Sequence, residues 1–327
     1  MSESSRSSKP SPWGRRAGIA VLVLALALFP LLAPLFDLDY YTGFVRRLMI
    51  VALAAASLNF LMGRVGLVAL GHAGFVGVGA YAVAALAEAG WTSAWLIWGA
   101  AIVAGVVVAG LTGAVALRTK GVYFIMITLA FAQMLFYLAV SLRKYGGDDG
   151  YTLYAPLNLV GGENALAASG APLYWVVLAL AALVLLALWR VEASHFGRAL
   201  EGIRDNETRM QAMGYPTYLL KLCAFAAAGG VASLSGALLA TQNGFVSPSL
   251  MHWTQSALFI VMVVIGGVGR RWGAPLGVAV WLVFEELLKQ FTEYWHAPMG
   301  LLLIAVVFLA PKGLSALAAR NPGKAAP

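Results

Sequence analysis

Four histidines are the side chains in this sequence best suited to acid–base or metal chemistry, but they are far apart. His72, His195, His252 and His296 fall in four separate segments, whereas the ligands of a metal site recur at short, regular spacings. A membrane-embedded enzyme would also need His, Asp or Glu clustered at one membrane level, and the sequence has no such cluster. The sequence therefore predicts neither a catalytic centre nor a metal site.

The sequence also has no phosphate-binding loop of the form Gly-x-x-x-x-Gly-Lys-Ser/Thr, which would hold the phosphates of a nucleotide. Its one Gly-Lys pair, Gly323-Lys324, is followed by Ala325 near the C-terminus. We therefore expect no cofactor and no ATP hydrolysis on this chain, and a role other than that of an enzyme.

One glycine-rich apolar stretch, Gly66–Tyr81, contains a histidine. Its glycines allow neighbouring helices to approach closely, or allow a helix to unwind beside a cavity. Helix packing alone would explain the glycines, but it explains His72 less well, because a polar ring at membrane depth is a functional candidate. We expect the residues Gly71–Phe75 to line a pathway.

A second apolar stretch has a face of mixed polarity that suits the lining of a wet passage. This face carries Met126, Thr128, Gln133 and Met134, although packing in the core would also explain the methionines. The predicted residues of a translocation pathway are Gly71, His72, Gly74, Phe75, Thr128 and Gln133.

Two acidic residues and a lysine lie together in a later apolar stretch. Glu285 and Lys289 are four residues apart, so they can pair on the surface of a helix, and Glu286 lies beside them. The sequence leaves two interpretations open, a structural pair that reaches toward the membrane interface and a role in transport.

The residues above must be positioned by membrane-spanning helices. Hydrophobic residues make up 61% of the 327 residues and charged residues only 11%, whereas a soluble domain has about 25% charged residues. The apolar blocks are about 20 residues long, as spanning helices require, and the short alternating segments of a membrane barrel do not appear. We predict an all-α, polytopic bundle of about ten transmembrane helices, near residues 17–36, 45–62, 66–87, 93–117, 121–142, 173–189, 219–241, 255–269, 273–292 and 299–310.

The basic residues predict the orientation of this bundle. With both termini in the cytoplasm, five of the 22 basic residues fall outside, in agreement with the positive-inside rule. The chain then consists of a cytoplasmic tail over 1–16, a transmembrane domain over 17–312 and a second cytoplasmic tail over 313–327. We expect the first helix to remain uncleaved, because the apolar run is long for a signal peptide.

Two loops are longer than simple connectors, one outside over 143–172 and one inside over 190–218. The inner loop has helical spacing in Phe196, Leu200 and Ile203, with Ser194 as the predicted N-cap. A second short helix follows and is expected to end at Gly214. Apolar residues exposed at helical spacing on the cytoplasmic side indicate a partner protein, and an amphipathic helix lying on lipid headgroups is the alternative.

The chain resembles the permeases of branched-chain amino-acid ABC importers, of the leucine/isoleucine/valine M-subunit type. The resemblance covers residues 45–312 and implies a helical permease fold. Its motifs are Gly66–Tyr81, Arg118–Phe124, Ile127–Met134, Ser194–Leu200, Ile203–Glu207, Ala212–Tyr215, Lys221–Phe225, Gly244–Pro248 and Gly266–Gly269. The outer loop departs from the family, with Gly146–Gly150 where the family often has a Thr-Gly-Gly pattern.

The resemblance implies a division of labour among several subunits in the bacterial inner membrane. An extracytoplasmic binding protein would deliver the substrate, this chain and a second homologous permease would form the passage, and two cytoplasmic ATPase subunits would bind ATP-Mg. The coupling segment would dock in a groove of the ATPase. Its residues would be Phe196, Gly197, Arg198, Leu200, Glu201, Ile203, Arg204, Asp205, Glu207 and Gly214.

Other substrates and another class of transporter remain alternatives. Permeases of the same family for urea, short amides or aromatic acids share most of these motifs, so the cargo is less well determined than the family. A stand-alone secondary transporter or channel would want paired charges within the membrane. That alternative would leave the long cytoplasmic helical loop unexplained.

Overall fold

The computed structural model describes residues 26–30, 39–154, 157–159, 170–291, 293–310 and 313–315. The predicted all-α, polytopic fold is confirmed. In the described part the helices are α1 (Asp39–Phe60), α2 (His72–Glu88), α3 (Ala94–Ala116), α4 (Val122–Ser141), α5 (Gly170–Ala193), α6 (His195–Asp205), α7 (Glu207–Ala212), α8 (Thr217–Asn243), α9 (Trp253–Gly266), α10 (Gly273–Phe291) and α11 (His296–Leu309). A π-helical turn, Leu61–Val65, follows α1, and two short strands, β1 (Tyr151–Thr152) and β2 (Phe245–Val246), pair antiparallel.

Five helices in the described ranges are long and apolar enough to cross a membrane: α1 with its π-helical turn, α3, α4, α5 and α8. Shorter apolar helices lie at residues 72–88, 253–266 and 296–306. The predicted number of ten spans is therefore not confirmed. Of the first predicted span, 17–36, residues 26–30 are helical and the others lie outside the described residues, as do residues 1–16 and 316–327 of the two predicted tails.

The third predicted span, 66–87, begins too early, because its first residues are not helical. Gly66 has a left-handed backbone with φ of 76°, a conformation that glycine adopts without steric cost. The chain then runs without helical structure until α2 begins at His72. A Cβ atom at Gly71 would lie 2.5 Å from the carbonyl oxygen of Thr128, so glycine is needed where this segment passes the backbone of α4.

Helix α8 lies at the centre of the bundle and is joined to its neighbours by small residues. The hydroxyls of Ser233 and Ser235 donate to backbone carbonyls of α3 and α1, at 2.6 and 2.8 Å. A Cβ atom at Gly236 would overlap the carbonyl of Val76 in α2. Small residues of this kind let helices in a membrane approach to backbone contact, and α1, α2, α3 and α8 thereby form one tightly packed unit.

The two long loops lie at opposite ends of α3. At the start of α3 the backbone N–H of Ala94 donates to Asn158, at 3.0 Å. Just after α3 ends, Lys120 pairs with Glu207 of α7, at 3.0 Å. Because a helix of 23 residues is about 34 Å long, the described parts of the two loops are separated by roughly the thickness of a membrane.

Candidate functional site

Helices α6 and α7, here called the α6–α7 segment (His195–Ala212), form most of the predicted inner loop. The Ser194 hydroxyl accepts a hydrogen bond from the N–H of Gly197 at 3.3 Å, and the Asn206 side chain accepts one from the N–H of Arg209 at 2.9 Å. Such caps satisfy N–H groups that a helix leaves free at its start. Gly214, with φ of 85°, follows α7. The predicted Ser194 cap and the stop at Gly214 are confirmed.

The apolar face of α6 is buried within the chain itself, and the expectation of an exposed apolar stripe is wrong. Leu200 is 0% exposed and Ile203 is 4% exposed, while Phe196 is partly buried against the core. In this conformation Leu200 and Ile203 cannot also enter a groove on another protein. Their physical role here is to hold α6 against the bundle, because burying each side chain stabilises that contact by about 1.5–3 kcal/mol.

A different set of side chains forms the accessible surface of the segment and of the turn after it. Met213 is 63% exposed and Tyr215 is 43% exposed. Both are large apolar side chains, and a patch of such side chains on the surface often marks an interaction site. The exposed residues are His195, Arg198, Arg204, Asp205, Asn206, Thr208, Arg209, Gln211, Ala212, Met213, Gly214, Tyr215 and Pro216.

Arg64, in the π-helical turn, joins α6 to α5. One guanidinium nitrogen donates to Glu192 near the end of α5, at 3.1 Å, and another donates to Glu201 in α6. The Glu192 side chain is only 7% exposed, so removing Arg64 would leave a carboxyl group shielded from water without its ion-pair partner. Arg204 of α6 also donates to the carbonyl of Gly63, which attaches α6 to the same turn a second time.

Glu207 attaches α7 to two other parts of the bundle. Its carboxylate accepts a hydrogen bond from Lys221 of α8, at 2.5 Å, and pairs with Lys120 at 3.0 Å. Burial by itself would raise the pKa of the Glu207 carboxyl, but the hydrogen bonds and charges of the two lysines outweigh burial and hold this pKa below its usual value. The two lysines therefore favour the charged form of Glu207, which suits an anchor between α7 and the bundle.

The start of α2 is held by polar contacts inside the bundle. The Ser57 hydroxyl donates to the carbonyl of Ala54 and therefore accepts from His72, whose Nε2 lies 2.8 Å away. The N–H of Ala73 donates to Ser256 of α9, at 2.9 Å. His72 is 0% exposed, so its imidazole joins α2 to α1 in this conformation.

A small cavity lies between α2, α3, α4 and α8. Its volume is about 10 Å³, which is close to the minimum for one water molecule. The hydroxyls of Thr112 and Thr128 donate to carbonyls of their own helices at 2.9 Å, so the cavity offers mainly apolar contacts. Its lining residues are Gly71, Phe75, Thr112, Thr128, Phe131, Ala132, Leu135 and Phe225.

The structure thus brings three of the six predicted pathway residues, Gly71, Phe75 and Thr128, to one cavity. His72 and Gln133 are not among the residues that line it. Gly74 lies next to it, since a Cβ there would lie 3.0 Å from Leu135. Whether these residues contact a substrate stays a prediction.

The acidic pair of α10 has a structural partner. Glu285 accepts a hydrogen bond from Lys289 at 2.5 Å, as the spacing predicts, and Glu286 accepts one from the Tyr40 hydroxyl at 2.8 Å. The structural interpretation is therefore the better supported of the two.

Two residues that organise this end of the molecule were not singled out from the sequence. Asn59 is a polar group within an otherwise apolar run, Glu192 follows Arg190 at the end of α5, and both are buried. A buried amide in a membrane helix needs a partner, so the position of Asn59 in the sequence was a usable signal, whereas Glu192 lies in a charged stretch and gave none. The partners themselves, Gly269 and Arg64, are 210 and 128 residues away, and sequence spacing does not indicate them.

Apolar helices, a non-helical segment before α2 and a charged helical segment at one end together define a multi-pass helical membrane protein. Residues 40–310 match the family model described as branched-chain amino acid transport system / permease component. The chain belongs to this family of bacterial inner-membrane permeases, as its motifs predict.

Curated relatives of two kinds cover most of the chain. The high-affinity branched-chain amino acid transport permease LivM of Escherichia coli K12 is 29% identical over 317 residues, or 90% of this chain and 73% of LivM. LivH of the same organism is 25% identical over 80% of this chain and 90% of its own length. The autoinducer 2 import permease LsrC of Klebsiella pneumoniae is 28% identical over 45% of this chain and 44% of its own length. No solved structure matches.

Proposed function

We propose that this chain is the permease subunit of an ATP-driven importer that carries branched-chain, hydrophobic amino acids across the bacterial inner membrane. The observation that carries the proposal is the family match over residues 40–310, supported by the similarity to LivM over 90% of the chain. In this proposal ATP is bound with Mg²⁺ by separate ATPase subunits, and both termini lie in the cytoplasm.

The similarity to both LivM and LivH supports a second permease as partner. The two relatives have separate names within one transport system and are each similar to this chain. We expect a heterodimer of homologous permeases, two cytoplasmic ATPases and an extracytoplasmic binding protein that releases the amino acid to the outer end.

The surface proposed to dock on the ATPase is the exposed part of the α6–α7 segment with the turn that follows it. Met213 and Tyr215 supply apolar contact area, while Arg198, Arg204 and Asp205 supply charges at the rim. Interfaces commonly combine an apolar centre that includes Met and Tyr with a polar rim. The burial of Leu200 and Ile203 makes them supports of this surface rather than contacts.

The proposed pathway passes between α2 and α4, where Gly71, Phe75 and Thr128 meet. Aromatic and aliphatic side chains around this point suit a branched aliphatic group. A cavity of about 10 Å³ is too small for an amino acid, so the helices around it would have to separate for a substrate to pass this point.

The test is reconstitution of this chain into lipid vesicles with the products of the neighbouring permease, ATPase and binding-protein genes. We expect uptake of labelled leucine, isoleucine and valine that requires both ATP and the binding protein. Omitting the ATPase subunits or ATP should abolish uptake, because the chain has no phosphate-binding loop of its own. Omitting the binding protein should abolish uptake because, in this proposal, that protein delivers the substrate.

The other candidates predict different outcomes of the same experiment. A related permease for urea, short amides or aromatic acids would transport those compounds, with the same dependence on ATP, in preference to leucine. A secondary transporter or channel would support uptake driven by an ion gradient or by concentration alone. Uptake without ATPase subunits would contradict the proposed function.

A further inference from the structure

The end of α1 departs from α-helical geometry over the π-helical turn Leu61–Val65. Such turns are uncommon and occur often at functional sites. This one ends at Gly66, whose left-handed conformation turns the chain toward the non-helical segment before α2. The turn therefore lies between α1 and the proposed pathway segment that starts at Gly71.

On one side the turn is held by α6 and by the end of α5. The guanidinium of Arg64 donates in two directions, to Glu192 and to Glu201. A planar guanidinium has donors arranged to hold two carboxylates at once, which an ammonium group does less well. Arg204 donates to the carbonyl of Gly63, so α6 contacts both the side chain and the backbone of the turn.

On the other side the turn is in backbone contact with the connection between α9 and α10. A Cβ atom at Gly63 would overlap the backbone of Gly269. One turn earlier in α1, the Asn59 amide donates to the carbonyl of Arg270 at 3.0 Å and accepts from the N–H of Gly269 at 2.8 Å. Asn59 is 5% exposed, so these two hydrogen bonds are shielded from water.

We infer that the π-helical turn is the joint through which movement of α6 reaches α1, α9 and α10, and that Arg64 is the residue that positions it. A displacement of α6 would be transmitted through the carboxylate of Glu201 to Arg64, whose other partner is Glu192 of α5, and from the turn to Gly269 by direct contact. The contacts of α7 are different, because Glu207 pairs with Lys221 of α8 and not with the π-helical turn. This inference rests on the proposed function, because it concerns how force from an ATPase would enter the bundle.

The test is the ratio of amino acid taken up to ATP hydrolysed in the reconstituted complex carrying Arg64→Gln. We expect the ATPase to co-purify with this variant and ATP hydrolysis to continue, while uptake per ATP falls by about tenfold or more, within the usual range for the coupling of two sites. Arg64→Lys should recover part of the ratio, because it restores the charge without the two-directional geometry.

The matched control is Lys120→Gln, which removes one basic residue from another ion pair of the segment. Lys120 is 74% exposed and Glu207 keeps its contact with Lys221, so the ratio should stay within about twofold of the wild type. A second variant, Glu201→Gln, changes a partner of Arg64 instead. The Glu201 side chain is 36% exposed, so this substitution should be tolerated more easily than one at Arg64. It should lower the ratio as Arg64→Gln does, even if Arg64→Gln itself fails to reach the membrane.

An unchanged ratio in Glu201→Gln, or in a membrane-inserted Arg64→Gln, would overturn the inference. Loss of ATPase co-purification in either variant would also overturn it, since Arg64 would then support docking and not transmission. Failure of the proposed function is distinct, because in that case the wild-type chain itself would show no ATP-dependent uptake.

Discussion

The middle of the bundle and the end that carries α6 and α7 are held together by different forces. In the middle, α8 meets α2 by backbone contact, with Gly236 against Val76 and Ser233 against Gly79. At the end, the α6–α7 segment is held through Arg64 and Glu207, whose ion-pair partners come from several helices. The first arrangement has no room for a side chain, whereas the second consists of charged contacts at the edge of the bundle.

This difference separates a rigid part of the molecule from a part that can be rearranged. Close-packed backbones fit in one arrangement and transmit displacement. Ion pairs with an exposed member, such as Arg64–Glu201 and Lys120–Glu207, are individually weak and can exchange for water at modest cost. We therefore expect substitutions at the glycine contacts of the middle to reduce the amount of folded protein most, and substitutions of Arg64 and of exposed residues at the α6–α7 end to act mainly on coupling and on ATPase binding.

The largest effect is expected from Gly236→Leu. A Cβ atom at this position would overlap the carbonyl of Val76, so α8 and α2 must separate and lose their contact area. We expect destabilisation by more than about 3 kcal/mol, above the usual cost of overpacking, and little protein in the membrane. The measurements are membrane abundance and the melting temperature in detergent.

Gly99→Leu is the control for this change. Gly99 lies in α3, and a Cβ there meets no atom within 4 Å, so the same substitution should leave abundance and melting temperature close to the wild type. Equal losses in the two variants would show that the glycine contacts of α8 do not fix the middle of the bundle.

The next prediction distinguishes a residue that supports the docking surface, Leu200, from a residue that belongs to this surface, Met213. Leu200→Ala should lower stability by about 2–5 kcal/mol, as for other fully buried leucines. Met213→Ala should change stability by less than about 0.5 kcal/mol, because the side chain is 63% exposed. It should nevertheless weaken ATPase binding by about fivefold or more if Met213 lies at the centre of the interface.

Melting temperature and co-purification of the ATPase, measured on both variants, check this pair of expectations. If Met213→Ala leaves ATPase binding intact and Leu200→Ala removes binding without loss of stability, then Leu200 is the contact and α6 must leave the bundle in the complex.

The sequence was sufficient for the helical class, the family and the local structure of the α6–α7 segment, because these depend on composition and short-range spacing. It also placed Gly71, Phe75 and Thr128 in one group. It failed at the start of α2 and at the burial of Leu200, because an apolar stripe has the same spacing whether it faces a partner or the bundle of its own chain.

The contacts of Arg64 could not be predicted from the sequence, for a related reason. The positive-inside rule places an arginine at a membrane end but does not choose between its carboxylate partners. Glu192 and Glu201 are 128 and 137 residues away, and only the packing of α5 and α6 brings them to the same guanidinium.

The smallest effect concerns pH and the anchor of α7. The pKa of the Glu207 carboxyl is held below its usual value of 4.5 by Lys221 and Lys120, against the effect of burial. A carboxyl whose pKa is depressed in the folded state contributes stability above its unfolded pKa and loses it as pH falls through the folded pKa. The stability contributed by the Glu207 carboxylate should therefore be constant from pH 7 to about 5 and decline only in more acid solution.

Glu207→Gln should lower the melting temperature at pH 7 and flatten this acid decline, because the Lys221 side chain, 9% exposed, loses its charged partner at every pH. Glu88→Gln is the control. Glu88 pairs with Lys144 at 3.3 Å, but Lys144 is 68% exposed and keeps its hydration when the pair is removed. If Glu207→Gln and the wild type decline in parallel below pH 5, the ion pair does not anchor α7, and this end of the molecule is held by uncharged packing contacts, as the middle is.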